Sequence, residues 1–157
     1  MTLTHAPERL GQACTFWVDG LSFGLGVEHV QEVLRYQELT VVPRAPEAVH
    51  GLINLRGQIV TAIDLRCRLG LPPREDGALP MNVVVRTGGE VVALLVDDIG
   101  DVIDTSDVAL HPTPANLPPT VQDVVVGVLP LGEQILLVVD AERAVDVPLT
   151  DTTGGTP

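Results

Sequence analysis

Val49-His-Gly-Leu-Ile-Asn-Leu-Arg-Gly-Gln-Ile-Val-Thr-Ala-Ile-Asp64, followed by Leu65 and Arg66, sets an arginine at a tight turn between two strongly apolar runs. Gly51 to Leu55 and Gln58 to Ile63 have the β-rich composition of strands, so Arg56-Gly57 between them reads as a hairpin turn in which glycine supplies positive φ. Asp64 is placed to cap a short helix from Leu65 to Leu69, which Gly70 ends. A turn arginine is ordinarily solvated. Packing has little use for one between two such strands.

The hairpin recurs later in the chain. A shift of 76 residues lays Val49 to Leu69 over Val125 to Val145 without a gap, with Gly51 on Gly127, Leu55 on Leu131, Gln58 on Gln134, Ile59 on Ile135 and Asp64 on Asp140. A shift of 69 lays Phe16 to Leu34 over Val85 to Ile103, bringing Asp19-Gly20 onto Gly88-Gly89, Glu32 onto Asp101 and Val33 onto Val102. The second copy therefore carries about seven extra residues between Asp104 and Val124, where Pro112, Pro114, Pro118 and Pro119 mark a long loop. First-copy strands are expected at about Cys14 to Val18, Leu21 to Leu25, Val33 to Tyr36, Gly51 to Leu55 and Gln58 to Ile63. Val27, Val30 and Leu34 also fit a helical spacing, which leaves that segment open. Five short strands per copy suit a small closed barrel, because closure removes exposed edges. Residues 12–80 would form the first barrel and 81–147 the second, with Leu71 to Pro80 as a polar connection. Residues 148–157, rich in Thr and Gly, read as a disordered tail.

Composition limits the function. At 157 residues and 45% hydrophobic, the chain can bury a core, and 3% aromatics means that Val, Leu and Ile must build it. A net charge of -12 repels nucleic-acid phosphate and anionic lipid. An oligonucleotide-binding barrel would need a basic groove and stacking aromatics, and Phe16, Trp17, Phe23 and Tyr36 are the only aromatics present. All nine basic residues are arginine, whose fork of donors matches carboxylates. Met1 to Gln12 lacks a secretory layout, and the apolar run Val124 to Val139 is broken by Pro130, Gly132 and Glu133, so a cytoplasmic protein is expected.

Catalytic chemistry finds few candidates. The histidines at 5, 29, 50 and 111 have no metal-ligand spacing, and Cys14 and Cys67 are too few for a zinc or disulfide framework. Phosphate-cradling, dinucleotide and nucleophile-elbow motifs are absent from the sequence. Asp97, Asp98, Asp101 and Asp104 are the one carboxylate cluster, and they read as a solvated strand-end loop rather than a metal or acid-base centre. No catalytic residue, metal or cofactor is expected.

Asn54-Leu55-Arg56-Gly57 continuing into Asp64-Leu65-Arg66 resembles the signature of the CheW family, the adaptors of bacterial chemotaxis. Val30-Gln31-Glu32-Val33, Thr40 to Pro43, Pro46, Val91 to Asp97 and Asp101-Val102 fall where that pattern expects them, so the likeness spans residues 12–147. Thr61 and His50 depart from it, standing where proline and a basic residue are common. The resemblance implies a mainly β fold of two five-stranded barrels, SH3-like or OB-like, on a shared hydrophobic core. It implies a non-catalytic adaptor that couples the cytoplasmic helical hairpin tip of a chemoreceptor to the regulatory domain of a CheA-type histidine kinase. Such a protein is recruited to membrane receptor arrays without inserting into the bilayer, and it binds no nucleic acid. A pilus-based motility pathway would use the same scaffold. By position, Val30, Glu32, Gly51, Arg56 and Val102 belong to the receptor-facing set, and Gly57 matches a position tied to the kinase. The bland alternatives are core packing for Val30 and Val102 and backbone closeness for Gly51.

Overall fold

Ten strands, three short helices and one 3-10 turn make up the computed structural model, which describes residues 10–147. The strands are β1 (Gln12–Val18), β2 (Leu21–Gly26), β3 (Val30–Leu34), β4 (Val49–Leu55), β5 (Gln58–Asp64), β6 (Met81–Thr87), β7 (Glu90–Val96), β8 (Asp98–Asp104), β9 (Val125–Leu131) and β10 (Gln134–Val139). The helices are α1 (Leu65–Arg68), α2 (Pro119–Gln122) and α3 (Ala141–Val145). The expected caps form: the Asp64 side chain accepts from the Arg66 N–H and Asp140 from the Arg143 N–H, each at 3.1 Å. Leu69 closes α1 and Gly70 follows at φ 73°. The strand placed at Val33 to Tyr36 begins three residues earlier and ends at Leu34, where its pairing with β6 runs out. The Asn82 side chain instead donates to the Arg35 carbonyl at 3.1 Å. Val27–His29 is a 3-10 turn, so the helical spacing there produces one short turn and then a strand. The segment 148–157 lies outside the described residues.

Two five-stranded sheets form, in the orders β8-β1-β2-β10-β9 and β3-β6-β7-β5-β4. The hairpins at Asp19-Gly20 and Gly88-Gly89 are antiparallel as expected, while β2 with β10 and β5 with β7 are parallel. The copies at 12–80 and 81–147 therefore do not each form a sheet. The chain crosses over at residues 27–29, so that β1 and β2 join the last three strands and β3 to β5 join β6 and β7. This exchange buries the apolar face of each half against the other.

Three apolar clusters follow from this topology. Phe16, Val18, Phe23, Leu25, Val83, Val85, Leu94 and Val96 are buried between the sheets, with Leu65, Ala141 and Ala144 from the helices sealing the same layer. Phe16 and Phe23 stack there at 5.7 Å between ring centroids. Ile53, Leu55, Val60, Ala62, Val84, Ala93 and Leu95 fill one sheet's inner face, and Leu129, Leu136 and Val138 fill the other's. Alternation along each strand thus feeds two faces, one turned into its own sheet and one onto the shared layer.

The internal repeat holds at the level of register. Val33 pairs with Val83 and Leu34 with Asn82; at the shifted positions, Val102 pairs with Cys14 and Ile103 with Ala13. Both ladders break at the same place, where β3 and β8 each carry one extra residue. The chain after β3 reaches the free edge of β4, where Thr40 and Leu52 exchange two backbone hydrogen bonds of 2.8 Å. His111 and Val128 repeat this on β9 at 2.9 Å. These crossings explain the superposed glycines. A Cβ on Gly51 would lie 2.6 Å from the Thr40 carbonyl oxygen, and one on Gly127 would lie 2.8 Å from that of His111. Gly51→Ala is expected to destabilise the fold by about 1–3 kcal/mol in urea denaturation, since the obstacle is backbone and cannot rotate away. A loss below about 0.5 kcal/mol would mean that the crossing yields easily.

Candidate functional site

Arg56 and Gly57 both occupy the left-handed region, at φ 52° and 88°, as a two-residue turn matched to strand twist requires. Gly57 fits there without cost, and its N–H is received by the Asn54 side-chain oxygen at 2.8 Å. Arginine is a poor residue for φ above zero; asparagine, aspartate or glycine would suit the position better. Its guanidinium pairs with the Glu32 carboxylate on β3, and that contact holds the Glu32 carboxyl below the ordinary carboxylate range against a smaller opposing effect of desolvation. The Arg56 side chain is 66% exposed and Glu32 only 23%. The pair links the tip of the β4–β5 hairpin to β3 at the opposite edge of the same sheet. A strained turn residue with most of its donors still open to solvent is the arrangement expected of a contact residue.

A second charged group, not anticipated from the sequence, ties the two sheets together. Arg66 donates through Nε and Nη2 to the two oxygens of Asp97, at 2.9 and 2.7 Å, and through Nη1 to the Pro72 carbonyl at 2.7 Å. Arg74 bridges Asp97 and Asp64, each at 3.3 Å. The Asp19 N–H, in the β1–β2 turn of the other sheet, donates to Asp97 at 2.7 Å. Burial acts to raise the Asp97 carboxyl, but the Arg66 fork, the Asp19 N–H and the two guanidinium charges outweigh it and leave it below its ordinary value. The same fork raises Arg66 further. The reading of Asp97 as part of a solvated loop is thus corrected: it is partly buried and fully engaged, whereas Asp98, Asp101 and Asp104 are exposed. The connection Leu71 to Pro80 is pinned through Arg74, the one basic residue between Arg68 and Arg86, and that isolation was the available signal. Among the described residues, no group of three or more His, Cys, Asp or Glu side chains could hold a metal ion, and no helix is long and apolar enough to cross a membrane.

Residues 12–148 match the family model described as the CheW-like domain. The chain belongs to the CheW family. A chemotaxis protein CheW of Klebsiella aerogenes is 30% identical over 139 residues, covering 88% of this chain and 84% of its own. A probable chemotaxis protein CheW of Rhizobium etli is 28% identical over 144 residues, covering 89% and 93%. The crystal structure of the scaffolding protein TtCheW from Thermoanaerobacter tengcongensis superposes with a TM-score of 0.76 at 25% identity, covering 90% of this chain and 94% of that one. The mainly β fold expected from the resemblance is present, its two expected five-stranded units appearing as two five-stranded sheets of the CheW architecture, and the class is that of a chemotaxis scaffold.

Within this CheW fold the six residues singled out in the sequence divide by sheet. Glu32 and Arg56 meet directly, and Gly57 completes the same turn. Gly51 lies in β4 of that sheet, buried beneath Thr40, so its lack of a side chain is explained by the strand crossing. Val30 opens β3, half-buried against the layer between the sheets. Val102 stands on β8 of the other sheet and is 57% exposed, more than its repeat counterpart Val33 at 41%. Core packing therefore accounts in part for Val30 and does not account for Val102.

Proposed function

We propose that this CheW-family scaffold couples the cytoplasmic helical hairpin tip of a chemoreceptor to the regulatory domain of a CheA-type histidine kinase, doing no chemistry of its own. The observation that carries this reading is the Arg56-Gly57 turn, where a contact-type side chain is held out at a backbone position that disfavours it. Val30, Glu32, Arg56 and Val102 form the receptor-facing set, with Gly51 acting by letting Thr40 close over β4, and Gly57 contributes to the kinase contact. Receptor binding recruits the protein to membrane arrays, with no bilayer insertion.

An adaptor without chemistry can change kinase activity only by altering the relative free energies of the kinase's conformations, so it must hold both partners in fixed geometry. The Arg66, Asp97 and Arg74 network supports that rigidity, because it clamps the β1–β2 turn of one sheet to α1 and the end of β7 in the other. Reconstitution of receptor-bearing membranes with the kinase tests the proposal. Adding the protein should make phosphoryl transfer respond to receptor ligand, and kinase activity indifferent to its addition would refute the coupling role. The purified protein alone should neither consume ATP nor retain labelled phosphate, since no nucleophile with an activating base is evident in the sequence. Stoichiometric self-phosphorylation would move it out of the adaptor class.

A further inference from the structure

The crossings from β2 to β3 and from β7 to β8 each carry the chain from one sheet to the other, and they are repeat-related. The first runs through residues 27–29 and the second through Asp97 alone. The shift of 69 lays Glu28 over Asp97, so an acid stands at each crossing. Only the second is tied down. The Asp97 carboxylate receives the Arg66 fork, the Arg74 guanidinium and the Asp19 N–H, and the Asp97 N–H donates to the Trp17 carbonyl at 3.0 Å. At the first crossing the shift of 76 puts Glu142 in the place of Arg66. Glu28 is 63% exposed there, and among the described residues its one ion-pair contact is with its neighbour His29, at 3.6 Å. The clamp therefore belongs to one crossing and is no necessity of the repeated fold.

We infer that Asp97 is a positioning residue for receptor binding: it fixes the β8–β1 edge of one sheet on the other, and so sets Val102 at the spacing from the Glu32–Arg56 pair that one receptor tip spans. This rests on the receptor-facing reading given above, in which Val30, Glu32 and Arg56 belong to one sheet and Val102 to the other. A partner touching both sheets senses how one is set on the other. β8 starts at the residue after Asp97, and Val102 pairs with Cys14 of β1, the strand whose last turn, at Trp17 and Asp19, is bonded to Asp97. The shared layer of Phe, Leu, Val and Ala side chains holds the sheets together, but apolar burial is non-directional. Charge-assisted hydrogen bonds of defined length and angle supply the direction. A face held ready in this way spares the cost of ordering it on binding, so loss of the clamp reads out as affinity.

The repeat also supplies the control. Affinities of the full chain for the receptor hairpin tip and, separately, for the kinase regulatory domain are measured by titration calorimetry, well below the unfolding midpoint of the weakest variant. Asp97→Asn removes the charge, Arg66→Lys keeps a charge but removes the fork, and Glu28→Gln makes the matching change at the unclamped crossing. Asp97→Asn and Arg66→Lys should each weaken tip binding by about fivefold or more while regulatory-domain affinity stays within about twofold, and Glu28→Gln should change neither. A double-mutant cycle separates positioning from general loosening. If Asp97 acts through Val102, Asp97→Asn combined with Val102→Ala should bind the tip no more than about twofold more weakly than the worse single variant, whereas independent effects would multiply. Equal losses for both partners, or multiplied effects in the cycle, would overturn the inference. If Val102→Ala weakens tip binding while Asp97→Asn and Arg66→Lys bind as the parent does, the inference fails and the receptor reading stands. If Val102→Ala itself leaves tip affinity unchanged, Val102 is no part of the receptor face and both fail.

Discussion

Replacing Arg66 with alanine should lower the unfolding free energy by about 2–3 kcal/mol at pH 7, one of the two largest effects expected outside the apolar core. Removing one partner of a buried ion pair commonly costs about 3–5 kcal/mol because the other charge is left without compensation, and the lower figure reflects the residual exposure of Asp97 and its second cation, Arg74. The dependence on pH follows from the direction in which Asp97 is displaced. Its folded carboxyl binds a proton more weakly than in the unfolded chain, so its contribution is fully present above the ordinary aspartate value of about 3.9. That contribution is lost as pH falls through the depressed folded value. Urea denaturation between pH 7 and pH 3 should therefore show Asp97→Asn well below the parent at neutral pH and converging on it in acid. A constant gap across that range would mean that the substitution acts by shape rather than through charge. Amide exchange offers a second readout, since the Asp19 N–H has Asp97 as its acceptor and should exchange faster in the variant.

Arg56→Asp should weaken binding to the receptor hairpin tip by more than tenfold, the other large effect. Truncating one partner of a desolvated charged contact costs about 2–5 kcal/mol, and an acidic replacement adds repulsion to a chain of net charge -12. The fold should tolerate the change, because aspartate accepts positive φ more readily than arginine and the position is exposed. The thermal midpoint is accordingly expected to stay within about 3 °C of the parent. Arg56→Asn, which suits the turn still better, separates charge from backbone. It should keep the fold and still lose receptor affinity. Affinity within twofold of the parent at low salt would make Arg56 a solvated turn residue.

Much of the fold was legible because alternation, turn glycines and capping aspartates are local. The repeat located β4, β5, β9 and β10 and the helices that follow them, and it anticipated both caps. It could not assign strands to sheets. Similarity between two halves is equally compatible with each half closing on itself and with the halves exchanging strands, and the crossover after β2 chose the second. The strand at β3 was displaced because a Val-rich run does not announce its own end; its partner β6 determines that. At the candidate site, the sequence singled out Glu32 and Arg56 separately, 24 residues apart, and only the folded sheet makes them a pair. Asp97 was hidden in the same way, since its partners Arg66 and Arg74 lie 31 and 23 residues upstream.

The central claim is that one molecule holds receptor and kinase at the same time. Analytical ultracentrifugation of the full chain with the receptor hairpin tip and the kinase regulatory domain addresses this directly. A single boundary containing all three components is expected, with the tip absent from it when the chain carries Arg56→Asp while the regulatory domain remains bound. Two mutually exclusive binary complexes, in which added tip displaces the regulatory domain, would contradict the account.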